Sequence, residues 1–194
     1  MNTAVTSVSF DSESLILVDP MDNPVGTATK VSAHANKGQL HRAFSIFLFS
    51  RSGEVLLQKR SEHKPLWPNF WSNACCSHPR QGETYQQATT RRLYEELGLT
   101  TPLTRLFQFE YHALFEDVGA EHELCSVYVG VTDGPCPISP HPLEVAAWDW
   151  YPCEEIDRWC EETPEQLTPW FLIEWSTIRN EFQPALVDLL KPSN

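Results

Sequence analysis

The pentapeptide Cys75-Cys76-Ser77-His78-Pro79 sets a thiol two residues from an imidazole. A thiol beside a cation or metal has a route to a lowered pKa, and so to acid–base or nucleophilic chemistry, whereas a thiol buried among apolar neighbours is inert. Glu121 and Glu123 stand two apart in a β-rich stretch. Both side chains then leave one face of a strand, roughly 7 Å apart along the chain. Two acids this close repel unless a proton or a cation neutralises them. Cys125, Val127 and Val129 continue that face as an apolar row, which sets the glutamates where a core ends and a pocket opens. A solvated strand face is the ordinary alternative.

His34, His41 and His78 add three imidazoles without zinc-finger spacing. With Glu121 and Glu123 they form a nitrogen and oxygen set suited to an octahedral Mg, Mn or Zn site more than to a tetrahedral structural one. Cys125, Cys136, Cys153 and Cys160 are too scattered to complete a zinc knuckle. Lys30, Arg60, Lys64, Arg91 and Arg92 lie near the same elements, as an anionic ligand requires. Trp67, Trp71 and Trp170 serve either as packing or as an aromatic face, which stabilises a desolvated cation by about 2 kcal/mol.

Strands and a few helices must position these groups. SLILV at 14–18 and VGTATK at 25–30 flank the turn-rich DPMDNP and predict a β-hairpin, followed by the less regular VSAHANKGQLH. AFSIFLF at 43–49 and EVLLQKR at 54–60, separated by Ser50-Arg51-Ser52-Gly53, predict a second hairpin whose first strand is buried on both faces. No period survives from 61 to 82, which reads as a long ordered loop or a set of short strands, the kind of segment that carries function. Thr84 and Gln87 form a capping box for a helix over 85–97, and Gly98 sits where a left-handed cap belongs. Arg91, Arg92, Glu95 and Glu96 close that helix, where the dipole disfavours each carboxylate by about 0.3–1 kcal/mol. They read as solvated ion pairs or as a hard-cation site. RLFQFEYHALF at 105–115 alternates Phe107, Phe109, Tyr111, Ala113 and Phe115 on one face and turns through EDVGA into ELCSVYVGV at 123–131. A strand over 145–151 precedes helices at about 153–162 and 169–182, the latter with Thr168 as N-cap and Pro169 in its first turn. The class is α+β, a mixed or antiparallel sheet packed between helices.

At 194 residues the chain suits a single domain, 1–194. Its 41% hydrophobic content excludes disorder and low-complexity repeats. A net charge of −12 argues against nucleic acid and anionic membranes as partners. No apolar run approaches a membrane span and MNTAVTSVSFDSESL lacks signal-peptide character, so a cytoplasmic location with reduced thiols is expected. A monomer or weak dimer is the expected state.

The segments SAHANKGQLHRAFS, LLQKR, KPLWPNFWSNACCSHP, RRLYEELG, EHELC and TPWF, in this order, resemble type 1 isopentenyl-diphosphate Δ-isomerases of the Nudix superfamily over nearly the whole chain. The Nudix helix pattern is altered. It runs from Ser77, where Gly is usual, through Glu83 and Arg91 to Glu95, Glu96, Gly98 and Leu99, and Arg92 replaces the first Glu of the REUxEE core. That departure argues against diphosphate hydrolysis. The resemblance implies a Nudix-like mixed sheet with an extra N-terminal hairpin and C-terminal helices. It implies isomerisation of isopentenyl diphosphate to dimethylallyl diphosphate through a tertiary carbocation, a step of isoprenoid precursor biosynthesis. By the same resemblance, His34, His41, His78, Glu121 and Glu123 bind one divalent ion (Mn²⁺, Mg²⁺ or Zn²⁺), and Glu96 holds a Mg²⁺ that bridges to substrate. Lys30, Arg60, Lys64 and Arg92 match the diphosphate clamp, Cys76 the catalytic thiol, Glu123 the catalytic glutamate, Tyr111 a tyrosine beside it and Trp170 an aromatic wall. Cys75 matches no functional position.

Overall fold

The computed structural model describes residues 6–191, so the start of the stretch read for a signal sequence lies outside the described residues. Strands β1 (Ser14–Val18) and β2 (Pro24–Thr29) pair antiparallel, as predicted. The Asp19 carboxylate closes their turn by accepting from the Met21 and Asn23 amides, each at 2.9 Å. Lys30 does not extend the strand. It opens a short helix, α1 (Lys30–His34), capped by the Thr29 hydroxyl, in a stretch whose sequence reads as irregular. Five residues are too few to show a helical period.

Strand β3 (His41–Ser50) is the hub of the sheet. It pairs antiparallel with β1, β4 (Glu54–Arg60) and β6 (Cys75–Ser77), and parallel with β8 (Gly119–Thr132) in a register from His41↔Glu123 to Ser50↔Thr132. Strand β5 (Trp71–Asn73) and β9 (Val145–Pro152) flank β4, and β7 (Leu103–Phe115) borders β8. The aperiodic 61–82 stretch thus contains two short strands. The sheet is mixed, as the sequence implies.

Helices cover both faces. Helix α2 (Tyr85–Leu97) carries the predicted capping box and the left-handed Gly98 at φ 67°, and buries Ala88, Leu93 and Leu97 against Phe44, Ile46 and Leu48 of β3. The alternate β3 residues Ala43, Phe47 and Phe49 meet α3 (Cys153–Glu162), α4 (Pro169–Glu181) and α5 (Gln183–Leu190) through Ile156, Phe171, Trp175, Ile178 and Leu186. Two-sided burial of β3 follows from this sandwich. Thr168 stands at the α4 N-cap, yet its hydroxyl meets Ser72 Oγ at 2.9 Å instead of capping the helix, which ties the start of α4 to β5.

Phe47 lies 5.8 Å from the Phe171 ring and 6.3 Å from Trp175, so it locks α4 onto β3. Phe47→Ala should cost about 3–5 kcal/mol in urea unfolding; a loss under about 1 kcal/mol would mean that the face re-closes without it.

Candidate active site

Four elements converge at one end of the sheet. His34 is the last residue of α1, His41 opens β3, His78 follows β6, and Glu121 and Glu123 lie on β8 on the face that Cys125, Val127 and Val129 continue into the core. One ligand atom from each of these five residues lies within 4.8 Å of all the others. His34 Nε2 is 2.8 Å from Glu121 Oε2, His78 Nε2 is 2.9 Å from Glu123 Oε1, and His41 Nε2 is 3.7 Å from the same oxygen.

Backbone carbonyls orient two of the rings. His34 Nδ1 meets Lys30 O and His41 Nδ1 meets Gln39 O, each at 2.7 Å, which puts the proton of the neutral ring on Nδ1 and leaves the Nε2 lone pair facing the cluster. His41 Nε2 is buried without a hydrogen-bond partner, and Glu121 Oε2 has only the His34 ring beside it. Converging orphaned acceptors of this kind fit a divalent cation and are costly to bury otherwise.

The electrostatics separate the two glutamates. Burial opposes charge on Glu121, but His34 beside it outweighs this and holds the carboxyl down at about 2. Burial likewise opposes charge on His34, and Glu121 overcomes it to raise the imidazole above its ordinary value. Burial and the Glu121 charge push Glu123 well above the usual carboxylate range, although Tyr111 donates to its Oε2 at 2.7 Å. Burial lowers His41 to about 4 and holds His78 well below the ordinary imidazole range, so both rings are neutral and able to coordinate. Burial, then the Glu123 charge, raises Tyr111, which stays a donor.

Four of these ligands, His34, His78, Glu121 and Glu123, line a cavity of about 240 Å³ together with Lys30, Arg60, Lys64, Cys76, Tyr111 and Trp170, while His41 is buried behind it. Cys76 on β6 pairs with Ser45, so Cys76 and Glu123 sit on strands that flank β3 on either side. The Cys76 thiol donates to Asn73 Oδ1 at 2.9 Å and receives the Trp170 indole N–H at 3.2 Å. Burial, reinforced by the Glu174 carboxylate, pushes this thiol up to about 12. The lowered pKa that the Cys-x-His spacing suggests is therefore reversed, and burial favours the thiol form of Cys76 over the thiolate. Cys75 points to the α2 side among Phe44 and Leu93 and away from the cavity. All six cysteines are free thiols.

The cations divide into two groups. Lys30, Arg60 and Lys64 line the cavity. Arg60 is held by the Leu66 and Trp67 carbonyls at 2.8 and 2.9 Å, with its guanidinium 5.2 Å from the Trp170 ring. Burial, then Lys64 and Arg92, lowers Lys30 to about 8. Arg92 and Glu96 do not line the cavity. They are buried together at the end of α2, 2.5 Å apart, and Glu144 joins them to Lys64 by pairing with both Arg92 and Lys64. Of the four helix-end residues, Arg91 and Glu95 form the partly solvated pair.

Sequence reading missed Asn73, Glu144, Glu174 and Gly119. Asn73 shows only as a polar residue of the aperiodic stretch, yet at the end of β5 its amide donates to Ile46 O and Cys75 O, both at 3.1 Å, and so fixes Oδ1 as the acceptor for Cys76. Gly119 opens β8 so close to α1 that a Cβ there would meet His34 O at 2.5 Å.

A NUDIX domain model matches residues 39–171. An isopentenyl-diphosphate Δ-isomerase 1 from Photorhabdus laumondii is 42% identical over 88% of this chain and 97% of its own length. One from Halorhodospira halophila is 44% identical over 82% and 91%, respectively. The chain belongs to the isopentenyl-diphosphate Δ-isomerase family of Nudix proteins. The crystal structure of DR0079 from Deinococcus radiodurans matches this fold with a TM-score of 0.68 at 22% identity, over 84% of this chain and 98% of that one. A MutT protein from Methanosarcina mazei matches at 0.61 and 18%, over 74% and 96%, so the Nudix architecture persists where little sequence does. In this isomerase-family chain the five-residue cluster is the candidate divalent metal centre.

Gly119→Ala should displace α1 and His34 from Glu121 and weaken Mn²⁺ binding by about 10- to 100-fold in calorimetry. Unchanged affinity would show that the close approach does not set the cluster.

Proposed function

We propose that this protein interconverts isopentenyl diphosphate and dimethylallyl diphosphate. The observation that carries the reading is that a thiol and a buried carboxyl, Cys76 and Glu123, line one cavity bordered by an aromatic face and by lysines. Moving a double bond from C3–C4 to C2–C3 adds a proton to C4 and removes one from C2. One of Cys76 and Glu123 adds the proton and the other removes one, while Tyr111 orients the Glu123 carboxyl through its 2.7 Å hydrogen bond.

The intermediate is a tertiary carbocation, which water would capture. Trp170, only 2% exposed and held by hydrogen bonds to Ser72 and Cys76, excludes water and offers its π face to the cation. Lys30, Arg60 and Lys64 at the cavity receive the diphosphate, and Arg92, outside the lining, supports them through Glu144. Glu144, paired with Lys64 and Arg92, keeps those cations together before substrate arrives. A divalent ion, Mn²⁺, Mg²⁺ or Zn²⁺, held by His34, His41, His78, Glu121 and Glu123 would fix the charge of Glu123. A Mg²⁺ at Glu96 would require that carboxylate to leave its buried pair with Arg92.

The direct test is incubation of the Mg²⁺-loaded protein with isopentenyl diphosphate in D₂O, followed by proton and phosphorus NMR. Deuterated dimethylallyl diphosphate is the expected product; released phosphate would assign a hydrolase, and an unchanged substrate would refute the isomerase reading. Cys76→Ala and Glu123→Gln should each lower kcat by about 10²- to 10⁴-fold with the circular dichroism spectrum retained. Full activity in either variant would remove that residue from the chemistry.

Lys30 also sets a pH limit. Its pKa is lowered, so its charge is present below about 8 and lost above it. The value of kcat/KM should therefore fall as pH rises through that range, and this limb should disappear in Lys30→Arg. A limb that survives the substitution belongs to another group.

A further inference from the structure

Trp67 does not line the cavity, yet it touches two residues that do, Arg60 and Trp170. Its ring lies 5.3 Å from the Trp170 ring at 86°, edge to face, and 5.0 Å from Phe115 at the end of β7. Its carbonyl accepts from Arg60 Nε at 2.9 Å, beside the Leu66 carbonyl that takes Arg60 Nη2 at 2.8 Å. The isomerase chemistry assigns Trp67 no role.

The backbone at this residue is out of the ordinary. Trp67 stands at φ 47°, in the left-handed region, and Pro68 follows it. A bulky side chain is an outlier there, and a following proline drives a residue towards extended backbone. Asn69 shares the region at φ 64°, but asparagine visits it routinely. A strained conformation of this kind persists only where its surroundings over-determine it. Here the loop begins and ends on Arg60, whose N–H donates to Phe70 O at 2.8 Å and whose carbonyl accepts from the Asn69 N–H at 3.1 Å, and Trp67 itself is buried.

Each half of Trp67 fixes what is otherwise loose. Arg60 spends two of its five guanidinium N–H groups on the Leu66 and Trp67 carbonyls and keeps the others for an anion. Hydrogen bonds to Ser72 and Cys76 pin Trp170 at Nε1, a single atom of the ring, and leave the tilt of its plane to whatever packs against it. A cation is drawn to an indole only when it lies over the ring face, so a tilted Trp170 would stabilise it less. We propose that Trp67 is a positioning residue for the isomerase site: its carbonyl aims Arg60 at the diphosphate, and its ring sets the plane of Trp170 for the carbocation. One buried residue thereby fixes the spacing of the two ends of the site, where the Arg60 guanidinium lies 5.2 Å from the Trp170 ring.

This inference rests on the isomerase reading, and substitutions that separate backbone from ring test it. Asparagine keeps access to the left-handed region without a ring, whereas a β-branched isoleucine disfavours that region. Trp67→Asn should lower kcat about tenfold with KM within about threefold of wild type. Trp67→Ile should lower kcat as much and also raise KM about tenfold, because the Arg60 contact is lost with the backbone conformation. Trp67→Phe, which keeps an aromatic edge, should stay within about threefold of wild type in both constants. Phe115→Leu leaves residue 67 intact and removes a ring packed against it; it should lower kcat about threefold with KM unchanged, and it carries the test if Trp67→Asn does not fold. Calorimetry with Mg²⁺ and inorganic pyrophosphate reads the Arg60 half without turnover: Trp67→Ile should bind about tenfold more weakly and Trp67→Asn within about threefold of wild type. An unchanged kcat in Trp67→Asn or, failing that variant, in Phe115→Leu would overturn the proposal, as would kcat and KM that change by the same factor in Trp67→Asn, or a pyrophosphate affinity that Trp67→Ile leaves intact. A wild-type protein that binds pyrophosphate but does not isomerise would refute the isomerase reading instead, and the pyrophosphate comparison would still decide the link from Trp67 to Arg60.

Discussion

Three imidazoles and two carboxylates are buried with their ligand atoms within 4.8 Å of one another, and the architecture is what it takes to hold them there. Buried acceptors that face each other repel, so no local preference assembles them. Long-range pairing does. The β3–β8 register puts His41 opposite Glu123, and a slip of one residue would turn Glu121, Glu123 and the apolar row behind them to the opposite face of the sheet. Because that pair is parallel, the chain must cross over between the two strands. The crossover carries β4, the Cys76 strand, α2 and β7, so the connection demanded by topology also supplies the thiol, Tyr111 and part of the cation network.

The sheet separates two kinds of electrostatic environment. On the α4 side, burial raises Glu123, Cys76 and Glu174 above their ordinary values. At the end of α2, Arg92, Glu96 and Glu144 are buried as a paired network that reaches the half-buried Lys64 of the cavity. Proton transfer to and from carbon suits the first environment and anion capture the second. The cavity opens between them, with Lys30 and Lys64 on one part of its lining and Trp170 on another. A molecule of charge −12 can still bind a diphosphate there, because at physiological salt charges beyond about 8 Å are largely screened and the nearby lysines dominate.

Local signals in the sequence carried much of the fold. The Thr84 to Gln87 box and Gly98 bound α2, and the alternation of Phe107 to Phe115 and of Glu121 to Val129 located the paired faces of β7 and β8. The five ligands were nameable from residue type and resemblance, but their convergence depends on the β3–β8 register. Helix α1 was illegible because its only signal is a cap, and Gly119 because its importance is a distance to another element. Between a thiol activated by its neighbours and one buried and inert, the Cys-x-His spacing cannot choose, because burial, reinforced by Glu174 nearly a hundred residues on, sets the direction of the Cys76 shift. Arg92 and Glu96, which from the helix end alone read as solvated ion pairs or a hard-cation site, are buried by the loop that brings in Glu144.

The central claim is that one divalent cation satisfies the buried imidazole and carboxylate cluster. Titration of the metal-free protein with Mn²⁺, followed by electron paramagnetic resonance with detection of nitrogen couplings, tests it most directly. The account predicts one tight site per chain, directly bonded imidazole nitrogens, and loss of that signal in His41→Ala. Binding through oxygen ligands alone, or no tight site, would contradict it.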